Sequence, residues 1–211
     1  MKGVFHIHTS YSFDTLMTPA RIVNRAKSLG FDFAAITDHD TVKGSLEASA
    51  LGILPIIIGA EYFTEKGDII GLFLTKEITS RKSNEVIAEI RNQGGVVVLP
   101  HPCREHKLDA ELLSAVDIIE VFNSKCSVRE NAEALELAKK YKKVEIAGSD
   151  AHFLGNIGLT EVTLDFSGDM KSDIRNGKFK ITKTAYSKSY CRIGTGLINF
   201  YKTTLLKKNI Y

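Results

Sequence analysis

Val4-Phe5-His6-Ile7-His8-Thr9 is the stretch on which the reading of the chain turns. Val4, Phe5 and Ile7 favour a strand, and in an extended strand residues i and i+2 point the same way. His6 and His8 are therefore expected to project together where a short first strand ends. Two same-facing imidazoles are poor core residues and good metal ligands. In isolation such a pair reads as surface histidines. Four polar clusters further along the chain reverse that reading.

Working outward, short apolar runs alternate with helical patterns. Thr18-Pro19 offers an N-cap and a first helical residue. Ile22, Ala26 and Leu29 then repeat at helical spacing, and Gly30 ends the helix. Further strands are expected at residues 33–37, 55–59, 69–74, 96–99, 118–122, 144–147 and 160–164, the one at 69–74 linked to its predecessor by a hairpin through Lys66-Gly67. Helices are expected to carry Val42, Leu46 and Ala50, then Val86, Ile87 and Ile90, then residues 108–115. Ser127-x-x-Glu130 has capping-box spacing and opens a helix carrying Val128, Ala132, Leu135 and Ala138. Strand–helix alternation of this kind implies parallel strands and an α/β fold.

Composition narrows the class. The chain has 211 residues, 44% of them hydrophobic, enough for one substantial core. No apolar run approaches the roughly 18 residues of a membrane span, and the N-terminus carries charge and histidine where a signal peptide needs an apolar run. Cys103, Cys126 and Cys191 are scattered with no CxxC pair, which suits a reducing cytoplasm. A soluble cytoplasmic protein with no membrane partner is expected. Charge is uneven: residues 1–170 hold 18 Lys and Arg against 24 Asp and Glu, whereas residues 171–211 hold 10 against 1. Residues 1–170 are read as a barrel domain and 171–211 as a basic extension packed on it. Lys178, Lys180, Lys183, Lys188, Arg192, Lys202, Lys207 and Lys208 are interleaved there with Tyr186, Tyr190 and Tyr201. Such a segment could attract phosphate-bearing substrates or stack bases, against the plainer reading of a solvated face.

The unusual residues sit at strand ends. His6, His8 and Asp14 follow the first strand, Thr37-Asp38-His39-Asp40 the second, and Glu61 the third. His101-Pro102-Cys103-Arg104 and Ser149-Asp150-Ala151-His152 follow two later ones. Five of the six histidines fall in these clusters. The carboxyl ends of parallel barrel strands meet on one face, so the clusters would converge. Imidazole and carboxylate are the ligand set of Zn²⁺, Mn²⁺ or Fe²⁺.

His6-x-His8, Thr37-Asp38-His39-Asp40, Gly59-Ala60-Glu61, His101-Pro102 and Ser149-Asp150-Ala151-His152 resemble the successive motifs of the PHP (polymerase and histidinol phosphatase) family. The resemblance spans about residues 1–165. It implies a distorted (β/α)7 TIM-like barrel, two or three divalent ions at the strand ends, and phosphoester hydrolysis. Carried over by motif, it implies that His6, His8, Glu61 and Asp150 hold a first ion. Glu61 would bridge to a second with His101, and Asp14, His39 and His152 would hold a third. Asp68 stands where many members place a histidine, so it either replaces that ligand or leaves the second site weaker. Glu120 and Asn123 are further candidates there.

Water shared between cations becomes a nucleophile near neutral pH and attacks phosphorus in line. Glu61, Arg104 and His152 are the candidate catalytic residues, Arg104 as a bidentate phosphate clamp. Asp38 or Asp40 is a candidate to orient His39. Cys103 beside this site lacks the support that Cys–His nucleophilic catalysis needs. The expected substrate is a small phosphorylated metabolite or a short nucleotide, with short nucleic acid as a further candidate partner. A phosphomonoesterase and an exonuclease on short oligonucleotides both fit, and the competing class is a metal-stabilised module that binds or regulates without catalysis.

Overall fold

The structure is a computed structural model that describes residues 1–206. Lys207 and Lys208 of the basic extension lie outside the described residues. Among these, nine strands form one sheet: β1 (Lys2–Ile7), β2 (Phe33–His39), β3 (Ile56–Thr64), β4 (Gly67–Leu72), β5 (Val96–Leu99), β6 (Ile118–Asn123), β7 (Val144–Gly148), β8 (Thr160–Leu164) and β9 (Phe179–Thr184). They lie in the order β7-β6-β5-β4-β3-β2-β1-β8-β9. β1, β2 and β3 run parallel, as do β5, β6 and β7. The hairpin anticipated around Lys66-Gly67 makes β4 antiparallel to both neighbours, the one break in the parallel pattern of the first seven strands.

Seven strands all but close into a barrel at a seam between β1 and the chain leaving β7. Ser149 N donates to Phe5 O at 3.0 Å, Ala151 N to His6 O at 3.1 Å, and His8 N to Ala151 O at 3.0 Å. The other end of β1 pairs with β8, so β8 and β9 continue as an antiparallel flap. Residues 179–184, read only as part of a basic extension, are therefore a strand of the same sheet.

Side-chain alternation sorts two surfaces. Phe5, Phe33, Ala35, Ile57, Val98 and Ile146 belong to an inner cluster. The opposite-facing Ala34 and Ile36 pack under α1 (Pro19–Ser28) and α2 (Lys43–Ala50), and Val97 and Ile119 under α3 (Ser83–Asn92), α4 (Ala110–Ala115) and α5 (Val128–Tyr141). Thr18 caps α1, and Ser127 with Glu130 forms the anticipated capping box. Two helical faces are rotated from expectation. Leu46 is exposed and α2 turns Gly44, Ser45 and Ala48 to the sheet, because a Cβ on Gly44 would lie 2.0 Å from Asp38 Oδ2. Val128 is exposed, and α5 buries Asn131, Ala134 and Ala138. The described residues end in α6 (Met170–Arg175), α7 (Ser189–Tyr201) and a π-helical turn, Lys202–Leu206. No helix of the described residues is long and apolar enough to cross a membrane.

The Phe33 ring fills the space that a side chain at Gly3 would need and meets Phe5 edge-on at 5.7 Å. Phe33→Ala is expected to lose about 3–5 kcal/mol, the usual cost of emptying a buried aromatic site. Urea unfolding followed by circular dichroism measures it.

Candidate metal centre

The same alternation builds the site. On the inner face, β2 reads Phe33, Ala35, Thr37, His39, and β3 reads Ile57, Gly59, Glu61. Each series is apolar below and polar at the carboxyl end. β6 presents Ile118 and Glu120 before its register shifts, and the chain from β7 runs Ile146, Gly148, Asp150. On β1 the register shifts between Val4 and Ile7, and His6 takes φ 62°. This bulge turns His6 inward without displacing His8, so the two rings lie 5.1 Å apart. His101 and Asp150 also have left-handed backbones, with φ 28° and 45°. Such conformations cost on the order of 1–3 kcal/mol each and gather where function over-determines the structure.

Glu61 is the hub. Its Oε2 lies 3.3 Å from His6 Nε2, 3.4 Å from His8 Nε2 and 3.3 Å from His39 Nδ1, and its Oε1 lies 3.1 Å from His101 Nε2. Asp150 Oδ1 is 3.6 Å from His8 Nε2 and 3.3 Å from His152 Nδ1. Asp14 Oδ2 is 2.6 Å from His152 Nε2 and 3.6 Å from His39 Nε2. Among the described residues four overlapping groups have the spacing of an ion's ligands: His6, His8 and Glu61; His6, His101 and Asp150; Glu61, Asp68 and His101; and His8, Asp14, His39 and His152. The structure thus brings all nine sequence-predicted ligands together. It draws His8 toward the Asp14 group as well as toward Glu61.

The donors fit a cation. Ser12 Oγ donates to Asp38 at 2.7 Å and stands 3.2 Å from His8 Nδ1, so that nitrogen carries the proton. His8 Nε2 is then a buried lone pair facing carboxylate oxygens, with no hydrogen-bond partner. Asp14 Oδ1 and His101 Nδ1 are buried and unpartnered too. Lone pairs and carboxylates facing one another at this depth need a proton or a metal ion between them.

Protonation follows the same logic. His8 is held well below its ordinary pKa by burial and by His152 and His39 beside it, which suits a neutral ligand. Burial lowers His39, but Glu61 and Asp14 outweigh it and bring the group to about 9. Burial and then Glu61 push Asp68 up to about 7. Asp150 is kept far below the usual carboxylate range, against its burial, by Lys125 and His6.

A second layer fixes the ligands. Glu120 Oε1 accepts a hydrogen bond from His6 Nδ1 at 2.8 Å, and its Oε2 accepts from His101 N and Asn123 Nδ2 at 2.9 and 2.8 Å. Glu120 and Asn123 therefore hold ligands in place, as partners that orient a metal-binding imidazole do. Gly148 makes room for this: a Cβ there would lie 1.6 Å from Glu120 Oε1. Asp38 and Asp40 do not orient the His39 ring as expected. Asp38 accepts from Thr9 N, Thr9 Oγ1 and Ser12 Oγ, and Asp40 pairs with Arg81. The Cys103 thiol is pushed up by burial and by Glu133 and Glu130, which does not suit a nucleophile.

Arg104, 31% exposed at the side chain, reaches Asp150 Oδ2 at 3.5 Å. Lys125 is the residue that sequence reading missed. Its Nζ lies 3.0 Å from Asp150 Oδ1 and 2.8 Å from His152 Nδ1. A lysine two residues past a strand carries no distinctive pattern; its place after β6, where the other clusters also follow strands, was the available signal.

The chain matches the model of the PHP domain over residues 5–160 and belongs to that family. It is 37% identical to an uncharacterized protein of Methanocaldococcus jannaschii over 146 residues, 59% of this chain and 82% of that one. A second uncharacterized protein of the same organism is 41% identical over 170 residues, 75% of this chain and 68% of that one. Solved structures share the fold at lower identity. A proposed metal-dependent phosphoesterase from Bifidobacterium adolescentis has TM-score 0.59 and 20% identity, with 72% of this chain and 88% of that one covered. An amidohydrolase from Chromobacterium violaceum has TM-score 0.60 and 17% identity, with 71% and 87% covered. PsfC from Pseudomonas syringae has TM-score 0.62 and 16% identity, with 97% and 98% covered. Family membership and the buried donor cluster together support a metal-dependent hydrolase using divalent ions.

A proton on His39 competes with an ion below about pH 9, and one on Asp68 below about pH 7. Ligands must be deprotonated to bind, so apparent Mn²⁺ or Zn²⁺ affinity is expected to rise from pH 6 to 9, with protons released on loading. Isothermal titration in two buffers of different ionisation enthalpy measures both; pH-independent affinity would contradict it.

Proposed function

We propose that the chain hydrolyses a phosphoester of a small phosphorylated metabolite or short nucleotide. One observation carries this reading: two fixed cations, Arg104 and Lys125, flank the same buried carboxylate, Asp150, at the edge of the donor cluster. Cations so placed suit a phosphoryl group, whose negative oxygens accept charge-assisted hydrogen bonds. The neighbouring Chromobacterium violaceum protein holds a sulfate, a tetrahedral anion of similar shape.

In this reading His6, His8, Glu61 and Asp150 would hold one ion; Glu61, Asp68 and His101 a second; and Asp14, His39 and His152 a third. Divalent ions held there would supply an activated water and neutralise charge on phosphoryl oxygens. Glu61 joins the groups, and its burial keeps bulk water from competing. Arg104 and Lys125 orient the phosphoryl group and take up the charge that grows on it. A short nucleotide has one observation in its favour: Phe13, half-exposed, stacks on His39 at 4.7 Å and offers a flat surface beside the site. The three cysteines are unpaired, as in a reducing cytoplasm.

The test is turnover of p-nitrophenyl phosphate and of bis-p-nitrophenyl phosphate with added Mn²⁺, Zn²⁺ or Fe²⁺. Hydrolysis is expected, and R104A and K125A should each lower kcat/KM about 10²-fold, the usual loss when a donor to developing charge is removed. A preference for the monoester or the diester divides phosphatase from nuclease. Bound ions with no turnover would sink the proposal in favour of a metal-stabilised binding module.

A further inference from the structure

Helix α7 lies outside the matched residues 5–160, yet it touches both loops that build the Asp14 group. Gly194, Ile198 and Lys202 repeat at i, i+4 and i+8 and so share one face. A Cβ on Gly194 would lie 2.7 Å from the ring of Phe153, the residue after His152. Ile198 shares a cleft of about 210 Å³ with Leu16, Met17, His152 and Phe153. At the far end of this face Lys202 Nζ donates to Ser10 O at 2.7 Å, Ser12 O at 2.6 Å and Thr15 O at 2.9 Å.

An ammonium has three N–H donors, and here each meets a backbone carbonyl of the loop between β1 and α1. That loop carries Asp14. It is also joined to the other arm of the group, since Thr15 Oγ1 donates to His152 O at 2.8 Å. Three carbonyl oxygens converging on one point repel one another unless a cation sits among them. The conformation that sets Asp14 Oδ2 against His152 Nε2 therefore depends on a charge supplied from about 190 residues further along the chain.

We infer that α7 and Lys202 form a clamp that assembles the ion pocket of Asp14, His39 and His152, with Lys202 as a positioning residue for that ion. The inference rests on reading the cluster as a metal site. It gives a residue of the basic segment a role that has nothing to do with attracting substrate.

The test compares metal binding of wild type, K202M, D14N, the K202M/D14N double variant and, as a control, K180M, using Mn²⁺ and Zn²⁺ against a chromogenic chelator. K202M is expected to weaken one ion about 10–100-fold, the usual effect of removing an outer partner of a ligand, and to leave the tighter ions unchanged. D14N should weaken the same ion, and the double variant should bind no worse than D14N alone. K180M should match wild type. Methylammonium added to K202A should restore part of the lost affinity. Should K202M fail to fold, K202Q, which keeps two donors, takes its place with a smaller expected loss. Wild-type affinity in K202M or K202Q would overturn the clamp, as would additive losses in the double variant or an equal weakening of every ion with a matching fall in Tm. A wild-type protein that holds no divalent ion would instead overturn the metal reading itself.

Discussion

Glu61 is an ionisable carboxyl almost wholly withdrawn from water, 1% exposed. A carboxylate at that depth is tenable only with positive charge around it. Four imidazoles stand within 3.4 Å of its oxygens. They cannot all be cationic, because they also face one another: His8 and His39 rings are 4.5 Å apart, and His6 and His8 rings 5.1 Å. Two unit charges at about 4 Å interact by roughly 4 kcal/mol at an effective dielectric of 20. Extra protons on the imidazoles therefore answer one repulsion by making another. Asp14, Asp150 and Glu120 are buried in the same place, and Lys125 and Arg104 do not match them in number. Divalent ions resolve the imbalance, because each brings two charges into the space between the ligands and leaves the imidazoles neutral.

This demand shapes the barrel. The residues that close it are those that present ligands: His6 O accepts from Ala151 N and Ser149 Oγ at 3.1 and 3.0 Å while the His6 ring faces Glu61. The left-handed backbones of His6 and Asp150 sit on the two sides of that seam. Their strain is held by hydrogen bonds that also order the site, so seam and donor cluster should open together. Gly148 belongs to the same arrangement, since the volume a side chain would occupy is taken by the Glu120 carboxylate.

Most of this was legible in the sequence because the relevant signals are categorical. An apolar run that ends in Asp, His or Glu is unusual at any one strand and distinctive at five. His6, His8, His39, Glu61, His101, Asp150 and His152 were visible for that reason, and the parity of β2 and β3 settles which way their side chains point. Other features depend on contacts that the linear chain does not encode. Leu46 looked inward by spacing, but the space beneath α2 is taken by Thr9 and Asp38, and only Gly44 fits there. Asp38 looked like a partner for its neighbour His39, yet its carboxylate is consumed by the Thr9–Ser12 turn. Lys125 had no pattern to mark it, and β9 and α7 were hidden by a composition that reads as a charged tail.

That tail shows why net charge is weak evidence of a partner. A cation steers a ligand only if its charge reaches solvent. Lys178 lies 3.1 Å from Asp173 Oδ1, a carboxylate that also accepts from Ser167, and Lys202 is enclosed by three carbonyls. The charge of Lys202 is largely spent inside the molecule, whereas Lys178, half-exposed, still meets solvent beside its partner. Lys180 and Lys183 are exposed on β9 and keep theirs. The excess of base over acid in residues 171–211 is thus partly a structural requirement: acceptors buried by the fold, a carboxylate in one case and a ring of carbonyls in the other, needed cations. The cations that meet the donor cluster lie elsewhere: Arg104 and Lys125, both beside Asp150.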